Sequence, residues 1–202
     1  METEGPVVKT GTTTVGLVAG DGVVLAADRR ASLGGRFVSN KNSVKIEQVH
    51  PTAAVTLSGS VGGGQAFIRQ LRAEASLYEN RRGEQMSIEA LAQLAGQLIR
   101  GQQAMPVLGG VDDEPHVFAV DGAGGVLEDA YTASGSGTQV ATGTLERQYR
   151  DDLSLEEGQR VAAAAVASAT ERDTASGNGI TVARITEDGV TIDSYDDTDE
   201  VL

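Results

Sequence analysis

The chain has 202 residues, 16 basic and 29 acidic, for a formal net charge of −13, and 40% of them are apolar, the composition of a folded protein. It has no cysteine, which excludes disulfides, thiolate nucleophiles and zinc–thiolate sites, and its two histidines are too far apart in sequence to suggest a histidine metal cluster. The strong negative charge argues against nucleic acid or an anionic membrane as partner.

Residues 1–11 are polar and aperiodic, and the opening is acidic where a secretory signal would be basic and then apolar. No apolar run approaches the ~18 residues of a membrane span, so a soluble, cytoplasmic protein is expected. Strand-like runs over 13–18 and 23–27 flank Asp21-Gly22 and predict a hairpin. Short strands are expected at 37–38, 44–47 and 53–57. The period then changes: Phe67, Ile68, Leu71, Ala75 and Tyr78 predict a helix over 64–81, and Ile88, Leu91, Ala92, Ala95, Leu98 and Ile99 a second over 87–102.

Strands return near 105–110, 116–120 and 126–131, with Asp121-Gly122 as a turn. A second helix pair follows over 138–152 and 155–172. Its second member opens on Ser154-x-x-Glu157, a capping-box pattern, and carries a small-residue face of Val161, Ala164, Ala165 and Ser168. Two last strands flank Asp188-Gly189 before an acidic tail over 196–200. Paired helices and hairpin strands do not fit βαβ alternation. They predict one α+β domain, a four-layer αββα sandwich of two antiparallel sheets flanked by helix pairs. With three Phe and no Trp, its core must be Val, Ala, Leu and Ile.

The common catalytic kits are missing. His50 and His116 read as turn or edge residues, not members of a Ser-His-Asp triad, and no Gly-x-Ser-x-Gly elbow is present. The glycine-rich stretches 58–64 and 134–137 lack the features of a phosphate loop or dinucleotide fingerprint. The acidic tail lacks the spacing of a calcium loop and reads as solvated. Only Lys9, Lys41 and Lys45 are lysines, which suits either a surface kept soluble by acidity or adaptation to high salt.

One device needs neither His nor Cys. A threonine at a free chain terminus supplies nucleophile and base together, because its α-amino group titrates at about 7.7–8. Gly11-Thr12-Thr13-Thr14-Val15-Gly16 puts three threonines where the leader meets the first strand, although threonines also simply suit strands. Further along stand Ala27-Asp28-Arg29-Arg30 and Val44-Lys45-Ile46. Strand alternation sets Lys45 on the face opposite Val44 and Ile46, where a plain surface lysine is the ordinary outcome. Ser58-Gly59, Gly135-Ser136-Gly137 and Arg172-Asp173-Thr174-Ala175-Ser176-Gly177 complete the set; singly, each could be a turn or a helix end.

Together and in this order, these segments resemble the proteasome β-subunit family, in its archaeal form with a short propeptide, from Thr12 almost to the end. The resemblance implies the N-terminal-nucleophile hydrolase fold and a threonine endopeptidase. It implies autocatalytic cleavage between Gly11 and Thr12, removing residues 1–11 as a propeptide and leaving 12–202 as the catalytic domain. Thr12 is then the nucleophile, and Asp28, Lys45, Ser136, Asp173 and Ser176 surround it, with Gly59 as the oxyanion-hole N–H. Arg30, Gly135, Gly137 and Gly177 are structural supports.

Ala31, Ser32 and Leu57 would line a small apolar pocket, hence a chymotrypsin-like preference. No metal or other cofactor is implied. The implied partners are α-subunits and other β-subunits in stacked seven-membered rings, an activating ATPase, and unfolded polypeptides as substrates. Three alternatives remain: a protein like the bacterial heat-shock ring peptidase, a non-catalytic scaffold subunit of this fold, and an amidohydrolase with the same kind of nucleophile but no stacked ring.

Overall fold

The computed structural model describes residues 11–202, so the leader expected over 1–11 lies outside the described residues except for Gly11. The first hairpin is present as β1 (Thr13–Ala19) and β2 (Gly22–Asp28), turning at Gly20 and Asp21. After the small hairpin β3 (Ala31–Leu33) and β4 (Phe37–Asn40) come β5 (Ile46–His50) and β6 (Ala53–Thr56), then α1 (Val61–Arg82) and α2 (Ile88–Leu98). Strands β7 (Val107–Val111), β8 (Pro115–Val120), β9 (Val126–Glu128) and β10 (Tyr131–Gly135) follow. Helices α3 (Thr138–Gln148) and α4 (Leu155–Thr170) precede β11 (Ile180–Thr186) and β12 (Gly189–Tyr195).

Two five-stranded sheets result, ordered β10-β1-β2-β11-β12 and β5-β6-β7-β8-β9, with every pair antiparallel. They stack face to face, with α3 and α4 covering the first and α1 and α2 the second, so the expected four-layer sandwich is the observed one. β2 shows why its apolar run is unbroken. Val23, Leu25 and Ala27 face the second sheet, while Val24 and Ala26 face α4.

The hydrophobic cluster between the sheets is aliphatic and includes Ile46, Ala54, Val107, Val117 and Ile185. Phe67 and Phe118 are confined to the layer under α1 and α2. Each fully buried Val, Leu or Ile contributes about 1.5–3 kcal/mol. Two glycines bring the sheets close: a Cβ on Gly109 would lie 2.7 Å from Val23 Cγ1, and one on Gly16 2.8 Å from Val107 Cγ1.

Several boundaries differ from expectation. The strand predicted over 126–131 is two strands on different sheets, because Asp129 and Ala130 carry the chain across from β8 to β1. α1 starts three residues before its apolar periodicity, since Ser60 caps it by accepting from Gly63 N–H. Those early glycines cannot show periodicity, yet Gly64 packs on Leu57 and Gly63 on Gln102. α4 has its capping box, but Ala164 and Ser168 are only half-buried, and Ala162, Ala163, Val166 and Ala169 complete the buried face. The tail is not wholly free: Arg29 pairs with Asp196 at 2.7 Å and Asp197 caps a short 3₁₀ turn.

His50 ends the edge strand β5, in keeping with an edge residue but with its ring buried, and His116 stands near the start of β8, as expected, though that strand is interior to its sheet. His116 is bracketed by Glu128 at 2.6 Å and Asp112 at 3.2 Å, and the other oxygen of Asp112 accepts from Ile88 N–H at the start of α2. Burial alone would lower the pKa of His116, but Glu128 and Asp112 outweigh it and hold the pKa above its ordinary value near 6.5. A base with a raised folded pKa contributes stability below its unfolded pKa and loses it as pH rises through the folded one. The melting temperature of the chain should therefore carry a decline just above pH 6.5 that His116→Gln lacks. Identical slopes in the two proteins would show that the cluster contributes nothing.

Candidate active site

β1 opens on three threonines that the fold treats differently. Thr13 and Thr14 are wholly enclosed, whereas Thr12, 4% exposed, lines a cavity of about 300 Å³ together with Gly11, Ala31, Lys45, Leu57 and Gly59. Gly59 has φ +98°, in the left-handed region, and a Cβ there would collide with the Gln103 carbonyl, so glycine is required.

Asp28, the last residue of β2, is completely buried and is the hub of the site. Its Oδ1 accepts from Thr13 N–H at 2.9 Å and from Lys45 Nζ at 2.7 Å; its Oδ2 accepts from Arg30 N–H at 3.0 Å and Gly177 N–H at 2.9 Å. Lys45 is itself only 4% exposed. Burial lowers its pKa, Asp28 opposes that by charge and hydrogen bond, and burial prevails. Lys45 is not on a strand as expected: β5 begins at Ile46, and Lys45 and Ile46 are both buried while Val44 is exposed. The irregular backbone before β5 breaks the alternation and turns Lys45 inward to Asp28.

On the other flank, Thr12 N–H donates to Ser136 Oγ at 3.0 Å. Ser136 Oγ in turn donates to Asp173 Oδ2, which also accepts from Ser176 Oγ at 2.7 Å. Ser176 meets Thr13 Oγ1 at 2.8 Å rather than Thr12. Arg30 donates to Asn178 Oδ1 and the Thr174 carbonyl, tying down the loop that carries Ser176. The supporting glycines stand where any Cβ would intrude: Gly135 against the Thr12 carbonyl, Gly137 against Thr13 Oγ1 and Gly177 against the Arg30 guanidinium.

The cavity wall departs from the expected apolar lining. Ala31 and Leu57 are on it with Val61, but so are Asn40, Asn42, Ser43 and Glu47, the last paired with Arg72 at 3.0 Å. Ser32 is not on it; its hydroxyl accepts from Gly11 N–H at 3.2 Å and so anchors the junction. Glu47, the second residue of β5, carried no signal of its own, because the alternation that would place it fails at Lys45. The asparagines carried no sequence signal, because their placement depends on the β3–β4 hairpin.

Breaking a buried ion pair by removing one partner costs about 3–5 kcal/mol. Asp28→Ala strands Lys45 and three backbone donors, so it should lose stability in that range by urea denaturation. Lys45→Met leaves Asp28 three N–H partners and should lose less. The reverse order would contradict Asp28 as the hub.

Residues 8–185 match the proteasome subunit family. A proteasome subunit beta of Halorhabdus utahensis is 62% identical over 200 residues, covering 97% of this chain and 86% of the relative. Proteasome subunit beta 2 of Haloarcula marismortui is 64% identical over 195 residues, covering 95% and 85%. A proteasome subunit beta of Natronomonas pharaonis is 60% identical over 198 residues, covering 96% and 83%. Likeness of this depth, running through a sandwich of two antiparallel sheets and four helices, makes the chain a member of the proteasome β-subunit family.

Proposed function

We propose that this chain is a catalytic proteasome β-subunit, a threonine endopeptidase made active by cleavage of its own Gly11–Thr12 bond. The observation that carries the reading is that Thr12 alone of the three threonines lines the cavity, and shares it with Lys45 and Gly59. In the precursor the Thr12 nitrogen is an amide and cannot act as a base. Cleavage by the Thr12 hydroxyl frees it as an α-amine that can accept a proton near neutrality.

In turnover, Thr12 Oγ attacks the substrate carbonyl and its proton passes to the Thr12 amine, through Ser136 or a water. Lys45, fixed by Asp28, holds positive charge at the site and lowers the basicity of that amine. The N–H of Gly59 stabilises the oxyanion, an interaction for which one donor is typically worth about 10²–10³ in rate. The leaving amine takes the proton, and water then hydrolyses the acyl-enzyme. No metal takes part in this scheme.

An apolar side chain before the cleaved bond is the preferred substrate feature, supported by Ala31, Leu57 and Val61 in the cavity wall. The polar Glu47–Arg72 pair makes a peptide panel the proper check on that preference. The working particle encloses the site within stacked seven-membered rings of α- and β-subunits in the cytoplasm, and an ATPase delivers unfolded chains to it.

Thr12→Ala should assemble with the α-subunits yet lose peptidase activity by about 10³-fold or more, since neither hydroxyl nor amine remains in place. Activity within tenfold of the unaltered particle would refute Thr12 as nucleophile.

A further inference from the structure

The two halves of the reaction centre belong to different sheets. Thr12 and Ser136 sit at the ends of β1 and β10 in the first, and Gly59 follows β6 in the second. Hydroxyl groups join these strands across the sandwich at two levels. Deeper in, Val107 N–H donates to Thr56 Oγ1 at 3.0 Å, and Thr56 Oγ1 donates to Thr14 Oγ1 at 3.1 Å. Nearer the cavity, Ser58 Oγ and Ser134 Oγ lie 2.8 Å apart, and both donate to the Met105 carbonyl, at 2.7 and 2.9 Å.

Strand alternation aligns these residues with the site: Thr14 is two residues from Thr12, Ser134 two from Ser136, and Ser58 adjacent to Gly59. The Gly59 loop is further strapped to one short segment, by Ser60 N–H to the Gln103 carbonyl at 2.9 Å and Met105 N–H to the Ser58 carbonyl at 3.1 Å. Gln103 is held at φ +53°, an uncommon value for a residue with a side chain. Ser58 is 3% exposed, so its hydroxyl has no ready exchange with water.

We propose that Ser58 and Ser134 are positioning residues that register the Gly59 N–H against the Thr12 hydroxyl, acting as one unit through the Met105 carbonyl. Neither touches the substrate. Each acts through a neighbour, Ser58 on the oxyanion loop and Ser134 on the strand that carries Ser136. The two hydroxyls touch each other as well as the Met105 carbonyl, so their contributions are coupled and the effects of losing them are not additive. This rests on the threonine-peptidase reading above.

The test uses assembled particles containing Ser58→Ala, Ser134→Ala, the double variant and Ser134→Thr. It reads kcat and KM on a fluorogenic peptide, and affinity for a peptide aldehyde. The Thr12 hydroxyl adds to the aldehyde carbonyl to give a hemiacetal whose oxygen occupies the oxyanion position. Each alanine variant should lower kcat about tenfold to a hundredfold, the scale of sub-ångström to ångström misplacement, and weaken the aldehyde in parallel while KM changes little. The double variant should match the singles, and Ser134→Thr, which keeps the hydroxyl, should restore activity.

Changes confined to KM, additive losses, or alanine variants as active as an active unaltered particle would overturn the positioning role alone. An unaltered particle without peptidase activity would overturn the underlying reading and this one with it. Should Ser58→Ala fail to fold, Ser134→Ala, at a half-buried position on a sheet-edge strand, carries the same test.

Discussion

The candidate site hangs on one buried carboxylate. Asp28 receives four hydrogen bonds, from the start of β1, from Lys45, from Arg30 and from the loop at Gly177, and it is fully buried. Burying a carboxylate and an ammonium carries a desolvation cost of several kcal/mol per ion, which only close geometry and full hydrogen bonding offset. Asp28 meets both conditions, so three segments distant from it in sequence, at Thr13, Lys45 and Gly177, are held to one point. The same burial works against the charge on Lys45, and Asp28 opposes it by charge and hydrogen bond.

The sandwich explains why the site lies where it does. Two sheets built from hairpins pack on an aliphatic layer without aromatic rings, and Gly16 and Gly109 let them approach closely. The ends of β1 and β10 then face the turn after β6 across the cavity. Groups from each sheet thereby line one cavity, and hydroxyl bridges join the sheets beside it. A site of this kind depends on the core more than one carried on a single loop.

Much of this was legible before any coordinates. Alternation and helical periodicity located both helix pairs and the main hairpins, and the order of Thr12, Asp28, Lys45, Gly59, Ser136 and Asp173 pointed to one site. What periodicity could not show was which strands pair. The split at Asp129 depends on which sheet each half of the run joins, and β3 depends on a partner strand six residues away. Lys45 was expected on a strand face opposite Val44 and Ile46, but the backbone before β5 does not alternate, and Lys45 reaches Asp28 from an irregular segment. Ser32 was expected on the cavity wall and instead anchors Gly11, since its strand turns the hydroxyl toward the junction. The polar lining from Asn40, Asn42 and Ser43 depends on how the β3–β4 hairpin and the segment after it fold over the cavity, which no local pattern shows.

The central claim is that Thr12 becomes the first residue of the working chain. Intact mass and N-terminal sequencing of this chain, co-expressed with its α-subunit partner and isolated as an assembled ring, test it most directly. The account predicts a chain that begins at Thr12 and has lost residues 1–11. A chain in the assembled ring that still begins at Met1 would contradict it, because Thr12 would then have a hydroxyl and no terminal base.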